Sequence, residues 1–341
     1  MPIWRAAVFV ARPAAAPVRT GLSSPWQGTC SNSRVDLIDS LSKLENLIPE
    51  WADLHQRCPR ATPFQSPQWL LPWTRHLFDG GEIQTLAIRD RGELIGLAPL
   101  FRWGISTRNV SFLGAGVSDY GDLLAVPGRE AECIATLGRF VERSGGHLQL
   151  DEVRDGSPLL REWPAEPCSI CPVLDLNRYP ESMQRGHRVN LRHAHNRLQR
   201  HAEFGFSRAV VSNFTEYLTQ FFRLHETRWG ALEPRLRQFY TETARGLLAS
   251  GELRLCMLEI EGSPVAAAYA FTRGETLYYY LTGYDAAMSK VSPGALLLEW
   301  MIEQARAEGV AEIDFLRHTE AYKYLWGARD RVNYRITLDI S

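Results

Sequence analysis

The sequence predicts an α/β protein of two halves, each a mixed, mostly antiparallel sheet flanked by helices. The C-terminal stretch from Val265 to Ala328 reads as two strands, a loop, a helix and a further strand. Residues 66–151 show helix, hairpin, strand, helix and strand in a similar order. Between them, residues 157–178 contain several prolines and little apolar periodicity, which is typical of a connection. We therefore expect an N-terminal half at 35–156, a linker at 157–178 and a C-terminal half at 179–341.

Helices begin the first half. Four leucines at helical spacing predict a helix over residues 35–49: Leu37, Leu41, Leu44 and Leu47. Ser66 and Pro67 predict another helix start before residues 68–77, because proline lacks the N–H that the first helical position leaves unpaired. The later elements of this half are strands at 85–89 and 94–102 joined by a turn at 90–93, a strand at 110–113, a helix at 129–144 and a strand at 147–151.

The second half opens with the most basic part of the chain, residues 179–204. Its basic residues are Arg185, His187, Arg188, Arg192, His193, His195, Arg197, Arg200 and His201. Such a segment either grips phosphate groups of a carrier, a lipid-linked acceptor or RNA, or forms a solvated helix. Charge alone favours the solvated helix. The elements that follow are amphipathic helices at 214–229 and 239–248, and strands at 253–260, 265–271, 277–284 and 332–340.

A helix start is predicted between the strands at 277–284 and 332–340. Ser292 suits the N-cap, Pro293 suits the first helical position, and Gly309 closes the helix before a strand at 313–316. A helix N-terminus that emerges from a loop presents backbone N–H groups and the positive end of the helix dipole. The sequence therefore predicts a place where a pyrophosphate can bind.

Composition narrows the function classes. Hydrophobic content of 45% and charged content of 23% are ordinary for a globular protein, and a net charge of −1 argues against a globally basic nucleic-acid binder. No apolar run approaches the roughly 18 residues of a membrane span. Cys168 and Cys171 form a C-x-x-C pair, but a zinc site needs two further ligands, so reduced thiols in a cytoplasmic protein are favoured.

The first 34 residues differ from the rest of the chain. They contain arginines, alanines, prolines and serines but no acidic residue, and Pro13 and Pro17 interrupt any helix. An export or transit segment is one interpretation. A disordered tail, or a start codon placed too far upstream, is the interpretation we favour.

Four short motifs occur in a specific order in the second half: Gly283-Tyr284-Asp285, Ser292-Pro293-Gly294, Asp314-Phe315-Leu316-Arg317 and Glu320-Ala321-Tyr322-Lys323-Tyr324. This order resembles the FemAB-like, CelD-type branch of the GNAT acyltransferases, often described as a BioF-like acetyltransferase domain. The resemblance covers roughly residues 38–340 of the chain. It implies two GNAT-like halves in one chain and transfer of an acyl group from a thioester donor.

The resemblance also implies that the loop before the predicted helix binds acyl-CoA, with acetyl-CoA as the simplest donor. We assign this role to Lys290, Ser292, Gly294 and Ala295. The usual GNAT loop reads Arg/Gln-x-x-Gly-x-Gly/Ala, whereas this loop keeps only the final Gly-Ala and offers Lys290 as its cation. Because FemAB relatives use aminoacyl-tRNA, the donor stays open between acyl-CoA and charged tRNA. No metal is expected.

Acyl transfer needs a polarised carbonyl, a deprotonated acceptor and a proton for the leaving thiolate. No Gly-x-Ser-x-Gly elbow occurs, which argues against a serine hydrolase. Asp119 lies in a glycine-rich loop that resembles the family's Ser-Asp-Tyr segment, and Tyr280 lies on a predicted central strand. Together with Glu320, these are the candidate catalytic residues.

The candidate substrate-binding residues are Tyr120, Asp122, His225, Arg228, Arg317, Lys323 and Tyr324. Arg317 and Lys323 follow the strand at 313–316, and α/β sheets place ligand sites beyond the carboxyl ends of their strands. With Glu320 orienting them, they suit an anionic substrate or donor. Structural roles compete with each assignment, because loop carboxylates form turns, a helix histidine is more often packed, and clustered ions can form a salt-bridged lid.

The sequence thus predicts a cytoplasmic acyltransferase of the GNAT type, which transfers an acyl group from acyl-CoA to an amine or hydroxyl. A sugar or polysaccharide precursor is the expected acceptor, on the resemblance alone. Two alternatives stay open. One is a FemAB-like aminoacyl transferase whose basic segment 185–201 faces tRNA, and the other is a non-catalytic scaffold of a polysaccharide machine.

Overall fold

A computed structural model describes residues 34–104, 109–201 and 203–340 of the chain. These residues form two compact units. The terminal unit combines residues 34–169 with residues 332–340, and the central unit consists of Ile170–Arg331. Of the predicted N-terminal tail, residues 1–33 lie outside the described residues.

The terminal unit contains two sheets and the helices that cover them. Its helices are α1 (Leu41–Asn46), α2 (Ile48–Arg57), α3 (Pro67–His76), α4 (Glu130–Ser144) and α5 (Leu159–Glu162). Its strands are β1 (Arg34–Ile38), β2 (Glu82–Ile83), β3 (Thr85–Asp90), β4 (Glu93–Ala98), β5 (Leu100–Trp103), β6 (Asn109–Phe112), β7 (Leu124–Ala125) and β8 (Gly146–Arg154).

The predicted hairpin at 85–102 divides between the two sheets. β3 and β4 pair around the predicted turn, in a four-stranded sheet of order β1-β3-β4-β7. Pro99 ends β4, and β5 then joins a second sheet with β2, β6 and β8. The core of the unit lies beneath α4, whose Cys133, Ile134 and Leu137 are buried.

The helix predicted over residues 35–49 is wrong in its first part. Arg34–Ile38 forms β1, which pairs antiparallel with β3 from Arg34↔Arg89 to Ile38↔Thr85. Helix begins only at Leu41. Leu37 matched the helical spacing by coincidence, since its side chain is 44% exposed and belongs to no helix face.

The central unit carries one sheet between two layers of helices. Its helices are α6 (Arg185–His201), α7 (Phe214–Trp229), α8 (Pro234–Ala249), α9 (Pro293–Ala307) and α10 (Ala321–Leu325). Its strands are β10 (Phe204–Arg208), β11 (Leu253–Ile260), β12 (Ser263–Arg273), β13 (Thr276–Tyr284) and β14 (Glu312–Asp314). The chain crosses from unit to unit within two further strands, β9 (Ala165–Asp175) and β15 (Arg329–Ile340).

The order of the central sheet is β10-β11-β12-β13-β14-β9. All neighbours are antiparallel except β13 and β14, which run parallel. α6 and α9 share one buried cluster with Ala268 and Tyr279 of this sheet. α7 lies on β12 and β13, where its buried Phe221 contacts Tyr269 with ring centroids 5.6 Å apart. The predicted α/β fold with mixed, mostly antiparallel sheets is thereby confirmed.

Candidate active site

β13 and β14 separate soon after they pair. Their parallel register runs only from Thr276↔Glu312 to Tyr278↔Asp314, and β13 then continues to Tyr284. Beyond Tyr278, β12 covers one edge of β13, while no strand in the described part of the chain covers the other. Such an edge leaves backbone N–H and C=O groups for another partner. The two strands therefore leave a gap between them beyond Tyr278.

The N-terminus of α9 lies at the end of this gap. Gly294 sits against Tyr284, and a Cβ atom at Gly294 would lie 3.4 Å from Cδ1 of the Tyr284 ring. Ser292 takes the predicted N-cap position but adopts a left-handed conformation with φ of 50°, and its side chain makes no capping hydrogen bond. The first turn of α9 therefore lacks a side-chain cap for its unpaired N–H groups, which form the positive end of the helix dipole. Ala295 lies in this same turn.

Lys290 and the basic helix meet at the loop before α9. The Lys290 side chain is exposed, and its backbone carbonyl accepts a hydrogen bond from Arg197 of α6 at 2.9 Å. Two cationic side chains are thus close to the uncapped helix start. This is the combination that binds phosphate groups at helix N-termini.

The C-terminal end of α7 converges on the same part of β13. The Thr282 carbonyl accepts hydrogen bonds from His225 Nδ1 at 2.9 Å and from the Trp229 indole N–H at 3.0 Å. The Arg228 guanidinium lies 4.7 Å from the Trp229 ring centroid and 4.9 Å from that of Tyr284. Arg228 is therefore an exposed cation held beside the tyrosine that also contacts Gly294.

His225 is positioned to support this arrangement. It is 1% exposed and stacks on Phe221 with ring centroids 5.5 Å apart. Burial lowers the pKa of the imidazole, so the neutral ring donates from Nδ1 to the Thr282 carbonyl. This packing favours the structural alternative over the predicted contact between His225 and substrate.

The loop after β14 is held in an uncommon conformation by Lys323. Leu316 and His318 have φ values of 59° and 77°, which side chains with a Cβ rarely adopt. The Lys323 ammonium donates to the backbone carbonyls of Leu316 at 3.1 Å, Arg317 at 2.6 Å and His318 at 2.8 Å. Glu320 lies 2.9 Å from the same ammonium.

From the sequence we predicted that Lys323 contacts substrate. In the structure, its three N–H groups donate instead to the backbone carbonyls of this loop. Its side chain is 3% exposed. Arg317, between the two strained residues, is half-buried at the carboxyl end of β14. Tyr324 donates to Asp330 at 2.7 Å, and desolvation together with that carboxylate raises the pKa of its phenol to about 12.

Tyr280 lies on the face of β13 opposite Tyr279. Its ring centroid is 5.7 Å from that of Phe271, 6.0 Å from that of Tyr240 and 6.4 Å from that of Tyr269. The side chain is half-buried, at the rim of this aromatic cluster. A phenol in this position can donate a proton only to a ligand on the α7 and α8 side of the sheet.

Asp119, Tyr120 and Asp122 belong to the terminal unit. Asn333 donates to the Asp119 backbone carbonyl at 2.9 Å, and the Asp119 side chain is buried. The Tyr120 ring packs edge-on against Phe64 at 6.0 Å. Asp122 accepts from Ser157 Oγ at 3.0 Å and from the Leu123 N–H at 2.9 Å.

Desolvation raises the pKa of the Asp122 carboxyl to about 6. The two hydrogen bonds and the positive charges of Arg60 and Arg154 lower this pKa, but their effect is smaller than that of desolvation. A carboxyl that titrates near neutral pH can accept or release a proton under physiological conditions.

Thr282 at the gap was missed by sequence reasoning. Its backbone carbonyl accepts the hydrogen bonds of both His225 and Trp229. Gly283 was the available signal, because a glycine inside a β-rich run marks a close approach of another backbone. A Cβ atom there would lie 2.3 Å from the backbone N of His225.

The acetyltransferase (GNAT) domain family matches residues 185–324, from the start of α6 into α10. A search of curated proteins found no match. Within the described residues, no group of three or more histidine, cysteine or acidic side chains is placed to hold a metal ion. None of the helices there has the length and hydrophobicity of a membrane-spanning helix.

Solved structures share the fold of the chain at low sequence identity. A crystal structure of FemX aligns with a TM-score of 0.61 at 12% identity, covering 85% of this chain and 96% of FemX. The C-terminal domain of a candidate lysylphosphatidylglycerol synthetase from Agrobacterium fabrum aligns with a TM-score of 0.57 at 12% identity, covering 86% of this chain and 92% of that domain.

A conserved protein of unknown function from Bacteroides thetaiotaomicron VPI-5482 aligns with a TM-score of 0.59 at 12% identity, covering 90% of this chain and 100% of that protein. At such identities the likeness concerns the fold alone. Residues 185–324 therefore match the acetyltransferase (GNAT) domain family, and the chain shares the fold of FemX along most of its length.

Proposed function

We propose that the protein transfers an acyl group from acyl-CoA to an amine or hydroxyl of an acceptor, such as a glycan precursor of polysaccharide or cell-envelope biosynthesis. The observation that carries this proposal is the separation of β13 from β14 beside the uncapped N-terminus of α9. An uncovered strand edge suits a thioester carbonyl, and a helix N-terminus suits a pyrophosphate.

In the proposed reaction, the first turn of α9 binds the donor phosphates together with Lys290 and Arg228. Backbone N–H groups on the uncovered edge of β13 polarise the thioester carbonyl. The acceptor amine or hydroxyl attacks the carbonyl carbon, so a C–N or C–O bond forms while the C–S bond breaks. The acceptor loses its proton to a base, and the released thiolate takes up a proton.

Tyr280 and Glu320 are the proposed catalytic residues of the central unit, and Asp119 is a separate candidate in the terminal unit. Tyr280 suits the proton donor, because its half-buried phenol carries an O–H group that can donate. The two carboxylates are the proposed base and orienting group. Substitutions Asp119→Asn, Tyr280→Phe and Glu320→Gln each change few atoms, so a large fall in single-turnover rate with an unchanged melting temperature would support each role.

Thermal melting with and without acetyl-CoA and longer acyl-CoAs tests the donor site. A ligand at 100 times its Kd stabilises the native state by about 2.7 kcal/mol, which raises the melting temperature by several degrees. Gly294→Trp fills the space between α9 and Tyr284 and should abolish the shift. Ala307→Trp, at the exposed opposite end of the same helix, is the matched control and should retain it.

A FemAB-like aminoacyl transfer from charged tRNA is the second candidate, and α6 is the observation that favours it. The helix contains five arginines and four histidines but no acidic residue. None of these arginines forms an ion pair with a carboxylate anywhere in the part of the chain that the structure describes. A merely solvated helix gains no stability from such unpaired like charges.

Binding of bulk tRNA at several salt concentrations separates the two donors. If all five arginines contact phosphates, the plot of log K against log salt should have a slope of about −4. Arg192→Glu with Arg200→Glu should abolish binding, whereas Arg143→Glu in α4 should not. A tRNA response without an acyl-CoA response would replace the first candidate with the second. If neither acyl-CoA nor tRNA binds, a non-catalytic scaffold remains as the candidate function.

A further inference from the structure

A second cavity of the central unit lies at the other end of α9. It has a volume of about 320 Å³, between the C-terminal half of α9 and the strands β10 to β13. This volume is at the lower end of the range for small-molecule sites, which begins near 300 Å³. The proposed acyl transfer does not use this cavity.

The inner wall of the cavity is apolar. Phe206 and Trp300 stack with ring centroids 5.6 Å apart and an interplanar angle of 8°, and both are only partly buried. Leu277 and Met301 line the same space and are 2% and 3% exposed. Burial raises the pKa of the Cys256 thiol to about 12, so that side chain also behaves as a neutral, apolar group.

The mouth of the cavity is polar and carries a net positive charge. Arg208 and Arg254 share one carboxylate, because both donate to Glu308, at 2.7 and 2.8 Å. Arg254 also donates to the carbonyls of Gly251 and Leu253, so its donors are occupied. The Arg208 guanidinium makes this one side-chain hydrogen bond among the described residues, and its side chain is 43% exposed.

From this arrangement we infer a second binding site, for a small aromatic or apolar monocarboxylate. The apolar body of the ligand packs on Phe206 and Trp300, toward Leu277 and Met301. Its carboxylate accepts hydrogen bonds from the remaining N–H groups of Arg208, which form a planar fork suited to carboxylates. Neutral ligands of the same shape lack this contact and bind more weakly.

This site is separate from the proposed donor site. Pro293 begins α9 and Glu308 follows its end, so 15 residues of helix at about 1.5 Å each place them roughly 22 Å apart. Binding of a monocarboxylate should therefore not compete with a CoA ester. The inference stands whether the donor is acyl-CoA or charged tRNA.

Titration of the full chain with phenylacetate and indole-3-acetate, followed by calorimetry and ligand-observed NMR, tests the site. We expect saturable binding to the wild-type protein, and binding at least about tenfold weaker in Arg208→Gln, which loses a charge-assisted hydrogen bond. Arg306→Gln is the matched control, because Arg306, on α9, is like Arg208 an exposed arginine that pairs with a carboxylate. It should bind like the wild type.

Three further measurements test whether the acids bind in this cavity and through their carboxylate. The corresponding amides should bind the wild type as weakly as the acids bind Arg208→Gln. Gln304→Trp, at the exposed mouth of the cavity, should block the acids without lowering the melting temperature. Saturating acetyl-CoA should leave their affinity unchanged. Absence of saturable binding below about 1 mM, or equal binding by Arg208→Gln and wild type, would overturn the inference.

Discussion

Gly283 sets how closely α7 approaches β13. Any side chain at this position would place a Cβ atom 2.3 Å from the backbone N of His225 and 2.5 Å from the carbonyl carbon of Leu224. Both neighbours are backbone atoms of a packed helix and cannot move alone. The contacts of His225 and Trp229 with Thr282 depend on this approach, so one glycine positions three residues of the site.

Gly283→Ala should therefore destabilise the protein by about 3 kcal/mol, because α7 must shift away from the sheet. Urea unfolding measures the change. Gly205→Ala is the matched control, since a Cβ atom at that strand glycine meets no heavy atom within 4 Å. A loss below about 1 kcal/mol for Gly283→Ala would show that α7 lies less tightly on β13 than the structure indicates.

Because of Asp122, the free energy of unfolding should depend on pH. Its carboxyl has an ordinary pKa of 3.8 and a folded-state pKa of about 6. Between these values the folded state binds more protons than the unfolded state, so the wild type loses stability as pH rises through this window. Asp122→Asn carries no such cost and keeps an acceptor for Ser157 and Leu123.

We expect Asp122→Asn to be more stable than the wild type by up to about 3 kcal/mol above pH 6, with the difference falling below about 1 kcal/mol near pH 4. Denaturant unfolding at several pH values measures it. Asp155→Asn, an exposed aspartate nearby, should show no such trend. A variant that is stabilised at neutral pH but slow in acyl transfer would identify Asp122 as a functional carboxyl.

Among the elements, the loop Leu316–His318 depends on a buried lysine for its shape. Lys323→Met keeps the length of the side chain but leaves three carbonyls without their donor. We expect a loss of about 3 kcal/mol in the free energy of unfolding. Lys290→Met, at an exposed lysine, should change stability little. Equal stability of the two variants would contradict the supporting role of Lys323.

Elements with strong local signals were predictable from sequence. α7 has the predicted bounds, Phe214–Trp229, because its apolar periodicity ends at a glycine. α9 begins at Pro293 as predicted. β1 was missed because its partner β3 lies about 50 residues away in sequence and no local pattern records that pairing.

The candidate site was predictable only in part, for the same reason. Sequence motifs indicated the start of α9 and the residues after β14. They did not show that the Lys323 side chain donates to the carbonyls of the loop Leu316–His318. Nor did they show that the Thr282 carbonyl accepts hydrogen bonds from two side chains of α7. Side-chain direction and burial follow from tertiary packing, which a linear motif does not contain.

At the scale of the whole molecule, the last strand completes a unit formed mainly by the first half of the chain. β15 pairs with β8 from Asn333↔Arg154 to Ile340↔Gly146. Asn333 also donates to the Asp119 carbonyl and to Glu152, each at 2.9 Å. Ile336 is fully buried in the core of the terminal unit.

A chain that stops after Arg331 should therefore retain a folded central unit and lose the terminal one. Limited proteolysis with mapping of the cleavage sites measures this. Cuts should concentrate within residues 34–169, while Ile170–Arg331 resists. A chain that stops after Leu338 keeps most of the β15 pairs and is the matched control. Protection of residues 34–169 in the shorter chain would refute the prediction.

The same arrangement has a consequence for synthesis. The central unit is one uninterrupted run of chain, so it can fold as soon as it has left the ribosome. The terminal unit begins earlier but must wait for its final strand. Until then, the edge of β8 that receives β15 is open. An open strand edge pairs readily with other chains, so we expect nascent chains of this protein to need chaperone protection until translation ends.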